Sequence, residues 1–185
     1  MGKLFVISGA SGVGKSTVLK QVMAARQDLR FSVSATTRQP RPGEEHGVHY
    51  YFVSTEEFQR LIDQGTMLEY DFHNATYYGT PLAQLEDKLE AGHVMLDIEP
   101  NGAFNVRAKC PDATLIFVLP PSMEELERRL RSRGDTSEEQ IVLRLDRARW
   151  EIEQSRQYDY VVVNDDVDRC AQEILNIIAQ KANNE

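Results

Sequence analysis

Eight residues near the start of the chain, Gly9-Ala10-Ser11-Gly12-Val13-Gly14-Lys15-Ser16, match the pattern G-x-x-x-x-G-K-[ST]. Each part of that pattern has a physical task. Glycines let backbone N–H groups close around phosphate oxygens, the N-terminus of the following helix adds positive potential, the lysine reaches the β- and γ-phosphates, and the hydroxyl ligates Mg2+. The flanks are the required ones: a strand-like run, Leu4 to Ser8, precedes the loop, and Val18, Leu19 and Val22 follow it at helical spacing. Gly9 to Ser16, with Thr17 next in the turn, are the candidate ATP-binding residues, and Ser16 is the candidate Mg2+ ligand. Neither D-x-x-G nor N-K-x-D occurs, so the switch and base-reading signatures of a GTPase are missing.

A second chemical feature is a set of arginines. Arg38 and Arg41 lie in an early loop, and Arg128, Arg129, Arg131, Arg133, Arg144, Arg147 and Arg149 crowd a later segment. In a chain of net charge −8 these are local concentrations of positive potential. Arg129 and Arg133 are four residues apart and share a helix face, and a fork of N–H donors suits phosphate oxygens. Glu127, Glu138, Glu139 and Asp146 are interspersed among them, so a solvated, ion-paired helix surface is the competing reading for any single arginine.

Elements that could position these groups are legible around them. Apolar and β-branched runs at Leu4 to Ser8, Phe31 to Ala35, Val94 to Ile98, Leu115 to Leu119 and Tyr160 to Val163 alternate with helical patterns, which predicts an α/β fold with a parallel sheet flanked by helices. Ser54-x-x-Glu57, Ser122-x-x-Glu125 and Ser137-x-x-Gln140 predict capping boxes, and Thr80-Pro81 predicts an N-cap followed by proline at the first helical position. Between about Thr36 and Thr80 the pattern changes to a loop rich in Arg, Pro, Gly and His, then strands at Tyr50 to Val53 and Met67 to His73 around one helix; this predicts an inserted α+β lobe. Arg131 to Ser137, with Gly134 and Asp135 between two helices, predicts a hinged lid.

Composition excludes several classes. The chain has 185 residues, 41% of them hydrophobic, enough for one sizeable core but short for two full domains. Acidic side chains outnumber basic ones 29 to 21, which disfavours nucleic acid and anionic membranes as partners. Cys110 and Cys170 lack C-x-x-C spacing, so neither zinc nor a disulfide framework is expected, and a reducing cytoplasm fits. Apolar runs are only about strand length, and no signal-peptide h-region is evident. Trp150, Tyr158 and Tyr160 are expected to pack, and both cysteines to be plain buried or half-buried thiols.

At Ser34-Ala35-Thr36-Thr37-Arg38-Gln39-Pro40-Arg41-Pro42-Gly43-Glu44 the chain strongly resembles guanylate kinases, P-loop nucleoside monophosphate kinases. Tyr50-Tyr51-Phe52-Val53, Glu69, Tyr77-Tyr78-Gly79-Thr80, Leu96-Asp97-Ile98-Glu99, Leu119-Pro120-Pro121-Ser122, Arg129 to Gly134 and Val163-Asn164-Asp165 continue the resemblance in family order over essentially the whole chain. The resemblance implies a P-loop NTPase-type fold in one domain, with a core at 1–35, 81–125 and 158–185, a GMP-binding lobe at about 36–80 and a lid at about 126–157. It implies transfer of the γ-phosphoryl of ATP to GMP, with dGMP as an alternative acceptor, in the presence of Mg2+. It also implies roles. Arg38, Arg41, Tyr50 and Tyr78 hold the acceptor phosphate; Ser34, Glu69, Thr80 and Glu99 read the base; Arg129, Arg133 and Arg144 close from the lid with Lys15 and Arg38 as the charge clamp; Asn164 lies near the adenine.

Chemistry supports this distribution of roles. The guanine edge presents an N–H and an amino group beside a carbonyl oxygen, so it needs acceptors next to a donor, which Glu69 with the hydroxyls of Ser34 and Thr80 supplies. A site built on such bonds rejects a mismatched base by roughly 10⁴-fold, because buried polar groups would be left unpaired. The sequence departs from the family pattern at Glu99, usually aspartate, and at Thr76, usually asparagine. Asp97, at a strand end, is a candidate for a water-mediated Mg2+ contact, against plain strand-end capping. Two other readings stay open at this level: a kinase for another phosphorylated acceptor, and a protein-binding scaffold that has lost the chemistry.

Overall fold

A computed structural model describes residues 2–73, 75–132 and 137–183. In chain order the elements are β1 (Leu4–Gly9), α1 (Lys15–Ala25), β2 (Leu29–Phe31), β3 (Ala35–Thr36), β4 (Tyr51–Phe52), α2 (Thr55–Asp63), β5 (Met67–His73), β6 (Thr76–Pro81) and α3 (Leu82–Ala91), followed by β7 (His93–Asp97), α4 (Pro100–Lys109), β8 (Thr114–Leu119), α5 (Met123–Arg131), α6 (Glu138–Gln154), β9 (Tyr160–Val163) and α7 (Val167–Asn183). The expected α/β class with an inserted α+β lobe is what forms. The chain divides into two compact units, one of residues 1–4 and 28–113 and one of 5–27 and 114–185.

In the second unit β1, β8 and β9 run parallel in the order β1-β8-β9, with Phe5 opposite Thr114 and Ile116 opposite Tyr160. Both neighbours of β8 are strands and helices cover the faces, so its run is buried throughout from Thr114 to Val118. Phe117 meets Tyr158 edge to face at 5.0 Å, which places that tyrosine in the core as expected. Helix α6 buries Ile141, Leu145, Ala148 and Glu151, a stripe at 3.6-residue spacing. Leu143 and Trp150, seven residues apart, fall on the opposite side and are 68% and 41% exposed, so the expected packing of Trp150 does not occur.

The first unit holds the parallel pair β2-β7 and a four-stranded sheet in the order β4-β3-β6-β5. Here the run from Phe31 to Ala35, which reads as one strand, serves two sheets. Leu29–Phe31 pairs with β7, and after Ser32 and Val33 the chain enters the second sheet at Ala35. Thr80-Pro81 also differs from expectation. Thr80 lies in β6, Pro81 takes the N-cap position of α3 with no side-chain cap, and the helix begins at Leu82. The Thr80 hydroxyl bonds a partner on the neighbouring strand, so it cannot cap the helix. The Ser54 capping box forms in full: the hydroxyl accepts from the Glu57 N–H at 3.1 Å while Glu57 accepts from the Ser54 N–H at 2.9 Å. At Ser122 and Ser137 the serine half of the arrangement forms. The Glu125 carboxylate goes to Arg128 and Arg129.

The lobe has its own small core, in which Phe58 of α2 is fully buried with Ala35 and Met67 and stacks on Tyr77 at 5.1 Å. Tyr77 adjoins Tyr78, a candidate site residue. Substituting Phe58→Ala should therefore destabilise the fold by about 3–5 kcal/mol in denaturant unfolding. A loss below about 1 kcal/mol would show that the lobe is not held by this cluster.

Candidate active site

The phosphate loop belongs to the second unit and is shaped by its backbone. Gly12 and Gly14 have φ of +89° and +92°, left-handed values that favour glycine. A Cβ on Gly12 would come within 2.5 Å of the Leu130 side chain, so conformation and space both demand glycine there. The Val13 N–H donates to the Ala10 carbonyl at 3.0 Å, and Gly14 caps α1, with Lys15 as its first residue. Ser16 and Thr17 follow, exposed, in the first turn.

Asn164, Arg129 and Arg144 are among the described side chains that brace this loop. Asn164 is buried, and its amide donates to the Val13 carbonyl at 2.8 Å. Arg129 donates to the same carbonyl and to that of Asn164, both at 3.1 Å, and through Nε to Glu125 at 2.8 Å. Arg144 donates from Nε to the Ser11 hydroxyl at 3.3 Å. Of the sequence-predicted charge clamp, Arg129 and Arg144 therefore reach the phosphate loop itself. Arg133 lies outside the described residues.

The remaining candidates lie in the first unit and form two adjoining groups. The phosphate-like corner centres on Arg38, whose guanidinium stands over the Tyr50 and Phe52 rings at 5.4 and 5.8 Å. Tyr50 and Tyr78 meet edge to face at 6.0 Å. Burial, reinforced by the nearby Asp97 carboxylate, pushes the Tyr50 hydroxyl up to about 12, so it stays a proton donor. Two terminal nitrogens of Arg38 hold the Glu44 carboxylate at 2.8 and 2.9 Å, and Glu44 also accepts the Arg41 N–H at 2.7 Å. The Arg38 hydrogen bonds, then that N–H, hold Glu44 down at about 2. Arg41 itself is exposed, with its backbone tied to this pair.

The base-like corner is built on the β5–β6 pair. Glu69 and Thr80 are opposite each other in the register, just past an irregularity between Met67 and Glu69 that re-aims the strand. Glu69 is only 4% exposed, and its Oε1 accepts the Thr80 hydroxyl at 2.7 Å. Burial outweighs that bond and raises the carboxyl to about 7. Asp97 ends β7, half-buried, and Glu99 takes the N-cap position of α4. Ser34 is half-buried just before β3, its carbonyl accepting the Tyr51 N–H at 2.8 Å.

Two participants were not singled out from sequence. A Cβ on Gly102, buried in α4, would stand 2.7 Å from Glu69 Oε2, so this glycine makes room for the carboxylate. Glu44 orients Arg38. The glycine could have been found only by knowing that α4 packs on β5. The Glu44 pairing had a local signal, since Arg38, Arg41 and Glu44 share one short loop.

A phosphate-cradling loop between a parallel strand and a helix, with a separate arginine–tyrosine corner beside a buried carboxylate, defines a P-loop phosphotransferase that acts on a small phosphorylated acceptor. The guanylate kinase family model matches residues 1–181. A guanylate kinase of Prochlorococcus marinus subsp. pastoris is 48% identical over 177 residues, covering 95% of this chain and 96% of that protein. A guanylate kinase of Desulfitobacterium hafniense is 47% identical over 178 residues, covering 96% and 89%. The crystal structure of guanylate kinase from Anaplasma phagocytophilum superposes with a TM-score of 0.81 at 35% identity, covering 98% of this chain and 87% of that one. The chain belongs to the guanylate kinase family: it is a nucleoside monophosphate kinase, and its reaction is transfer of the γ-phosphoryl of ATP to GMP.

Replacing Gly102 by alanine separates its two effects. Helix propensity alone would favour alanine by about 1 kcal/mol, whereas the methyl group would displace the Glu69 carboxylate. Steady-state kinetics of Gly102→Ala should show KM for GMP raised at least ~10-fold, about 1.4 kcal/mol of binding, and KM for ATP within ~2-fold. An unchanged KM for GMP would remove Gly102 from the site.

Proposed function

We propose that the two groups of residues divide the reaction between them. The loop Gly9 to Thr17 binds the ATP phosphates, with Lys15 on the β- and γ-oxygens and Arg129, Arg133, Arg144 and Asn164 completing the donor side. Arg38, Arg41, Tyr50 and Tyr78 bind the GMP phosphate, and Ser34, Glu69, Thr80 and Glu99 read guanine. The observation that carries this reading is the Glu69 carboxylate, buried beside Thr80 with room kept by Gly102. A buried acceptor pair facing a hydroxyl matches the two N–H donors of guanine, whereas adenine presents an acceptor there.

The acceptor oxygen needs no general base. The second pKa of a phosphate monoester is near 6, so GMP is mostly a dianion at neutral pH. Acceleration then comes from aligning two anions and neutralising charge on the transferring group, tasks for Lys15 and the guanidinium groups. Tyr50 and Tyr78 add donors to the acceptor phosphate without adding a rival anion.

Oxygen donors suit Mg2+: the exposed Ser16 hydroxyl, in the first turn of α1, would be its direct ligand, and the Asp97 carboxylate, at the end of β7, would act through water. Held there, the ion would supply positive charge to offset that of the phosphates. A lid spanning about 126–157 and a GMP-binding lobe at about 36–80 would exclude water during transfer. We place the protein in the cytoplasm, where free thiols such as Cys110 and Cys170 persist. No helix among the described residues is long and apolar enough to cross a membrane.

A mononucleotide panel with ATP and coupled ADP detection tests the acceptor assignment. GMP should turn over, dGMP should be accepted, and AMP, CMP and UMP should be poorer by roughly 10⁴-fold in kcat/KM. In Glu69→Gln that selectivity should fall at least ~10²-fold while KM for ATP stays within ~2-fold. Equal turnover of AMP, or unchanged selectivity in Glu69→Gln, would overturn the assignment.

A further inference from the structure

Glu151 is a buried carboxylate that the transfer scheme does not use. It is 2% exposed on α6, in the same compact unit as the phosphate loop. Its Oε2 accepts the backbone N–H of Ser11 at 2.8 Å, and its Oε1 accepts Arg147 Nε at 3.1 Å. The Ser11 hydroxyl, on the same residue, accepts Arg144 Nε at 3.3 Å. Arg144, Arg147 and Glu151 are spaced i, i+3 and i+7, so one face of α6 grips Ser11 at both backbone and side chain.

A negative charge this close to an anion-binding loop opposes the ligand it serves, so its presence calls for a compensating function. The geometry points to one. We infer that Glu151 is a positioning residue of the ATP site, fixing the Ser11 peptide so that the loop holds its phosphate-cradling shape before ATP arrives. A glycine-rich loop has many accessible conformations, and an N–H aimed outward at a fixed carboxylate removes some of them. The bond is charge-assisted and buried, hence stronger than a neutral one. Burial of Glu151 is made tolerable by Arg147 and by the Ser11 N–H itself. The loop motif leaves position 11 unrestricted, so the constraint is supplied from 140 residues away in sequence.

This inference rests on the phosphate loop being the ATP site. Calorimetric titration of ATP and, separately, of GMP into the full chain tests both, using Glu151→Ala, Glu151→Gln and Lys15→Ala. Glu151→Ala should weaken ATP binding at least ~10-fold and leave GMP binding within ~2-fold; Glu151→Gln, which keeps an acceptor oxygen, should recover ATP binding to within ~3-fold of the parent. ATP affinity unchanged in Glu151→Ala but lost in Lys15→Ala would overturn the role of Glu151 alone, whereas ATP affinity unchanged in Lys15→Ala would overturn the assignment of the loop. A glutamine variant as weak as the alanine one would overturn the hydrogen-bond argument. If Glu151→Ala does not fold, the Ser11 amide proton resonance decides. It should move upfield in Glu151→Gln as the charged acceptor becomes neutral, and an unmoved resonance would count against the bond.

Discussion

Burying a carboxylate without enough donors raises its proton affinity, and Glu69 is held in that condition by its neighbours. The Thr80 hydroxyl and the Thr80 backbone N–H both reach it, and together they do not offset desolvation. The surroundings accept this arrangement at several points. The strand irregularity ahead of Glu69 aims it inward, Gly102 leaves the space a side chain would take, and Thr80 gives up helix capping to face it. A carboxylate so placed suits the N–H groups of guanine, which is why we propose that it reads the base. Glu151 shows the opposite case: also buried, it is already supplied by the Ser11 N–H and Arg147, and so serves shape instead of recognition.

The arginines follow a related logic. The chain carries net charge −8, yet arginines cluster at Arg38 and Arg41 and again between Arg128 and Arg149. Arg38 is held by Glu44, and Arg129 by Glu125 and two carbonyls, so their planes are set before substrate binds. Holding a long side chain in place removes entropy that binding would otherwise have to remove. The ion-paired half of the sequence reading holds for Arg129, which lies 2.8 Å from Glu125. Arg131, paired with Glu127 and Glu138, and Arg149, paired with Asp146, form ion pairs on exposed surface.

What sequence made legible was local. The phosphate loop, the parallel strands and the Ser54 cap announce themselves within windows of ten residues or so, because backbone geometry and periodicity act over that range, and the lobe shows as a change of pattern between about Thr36 and Thr80. The failures share a cause. Phe31 to Ala35 looks like one strand because both halves are apolar, and only tertiary pairing splits it between sheets. Thr80-Pro81 carries a valid helix-start pattern, but cross-strand pairing with Glu69 claims the hydroxyl. Trp150 faces solvent because the buried stripe of α6 lies on the other side. Gly102 and Glu151 act on partners 33 and 140 residues away, beyond any pattern along the chain.

The ionisation of Glu69 is the most direct gauge of this account. With the side-chain carboxyl labelled with 13C, an NMR titration of the free protein should give a midpoint near 7, because burial favours the neutral acid. Saturating GMP should lower it by at least ~1 unit, since two N–H donors favour the carboxylate, and GMP should correspondingly bind more tightly as pH rises through 7. A midpoint near 4.5 in the free protein, or one that GMP leaves in place, would contradict recognition of guanine by this carboxylate.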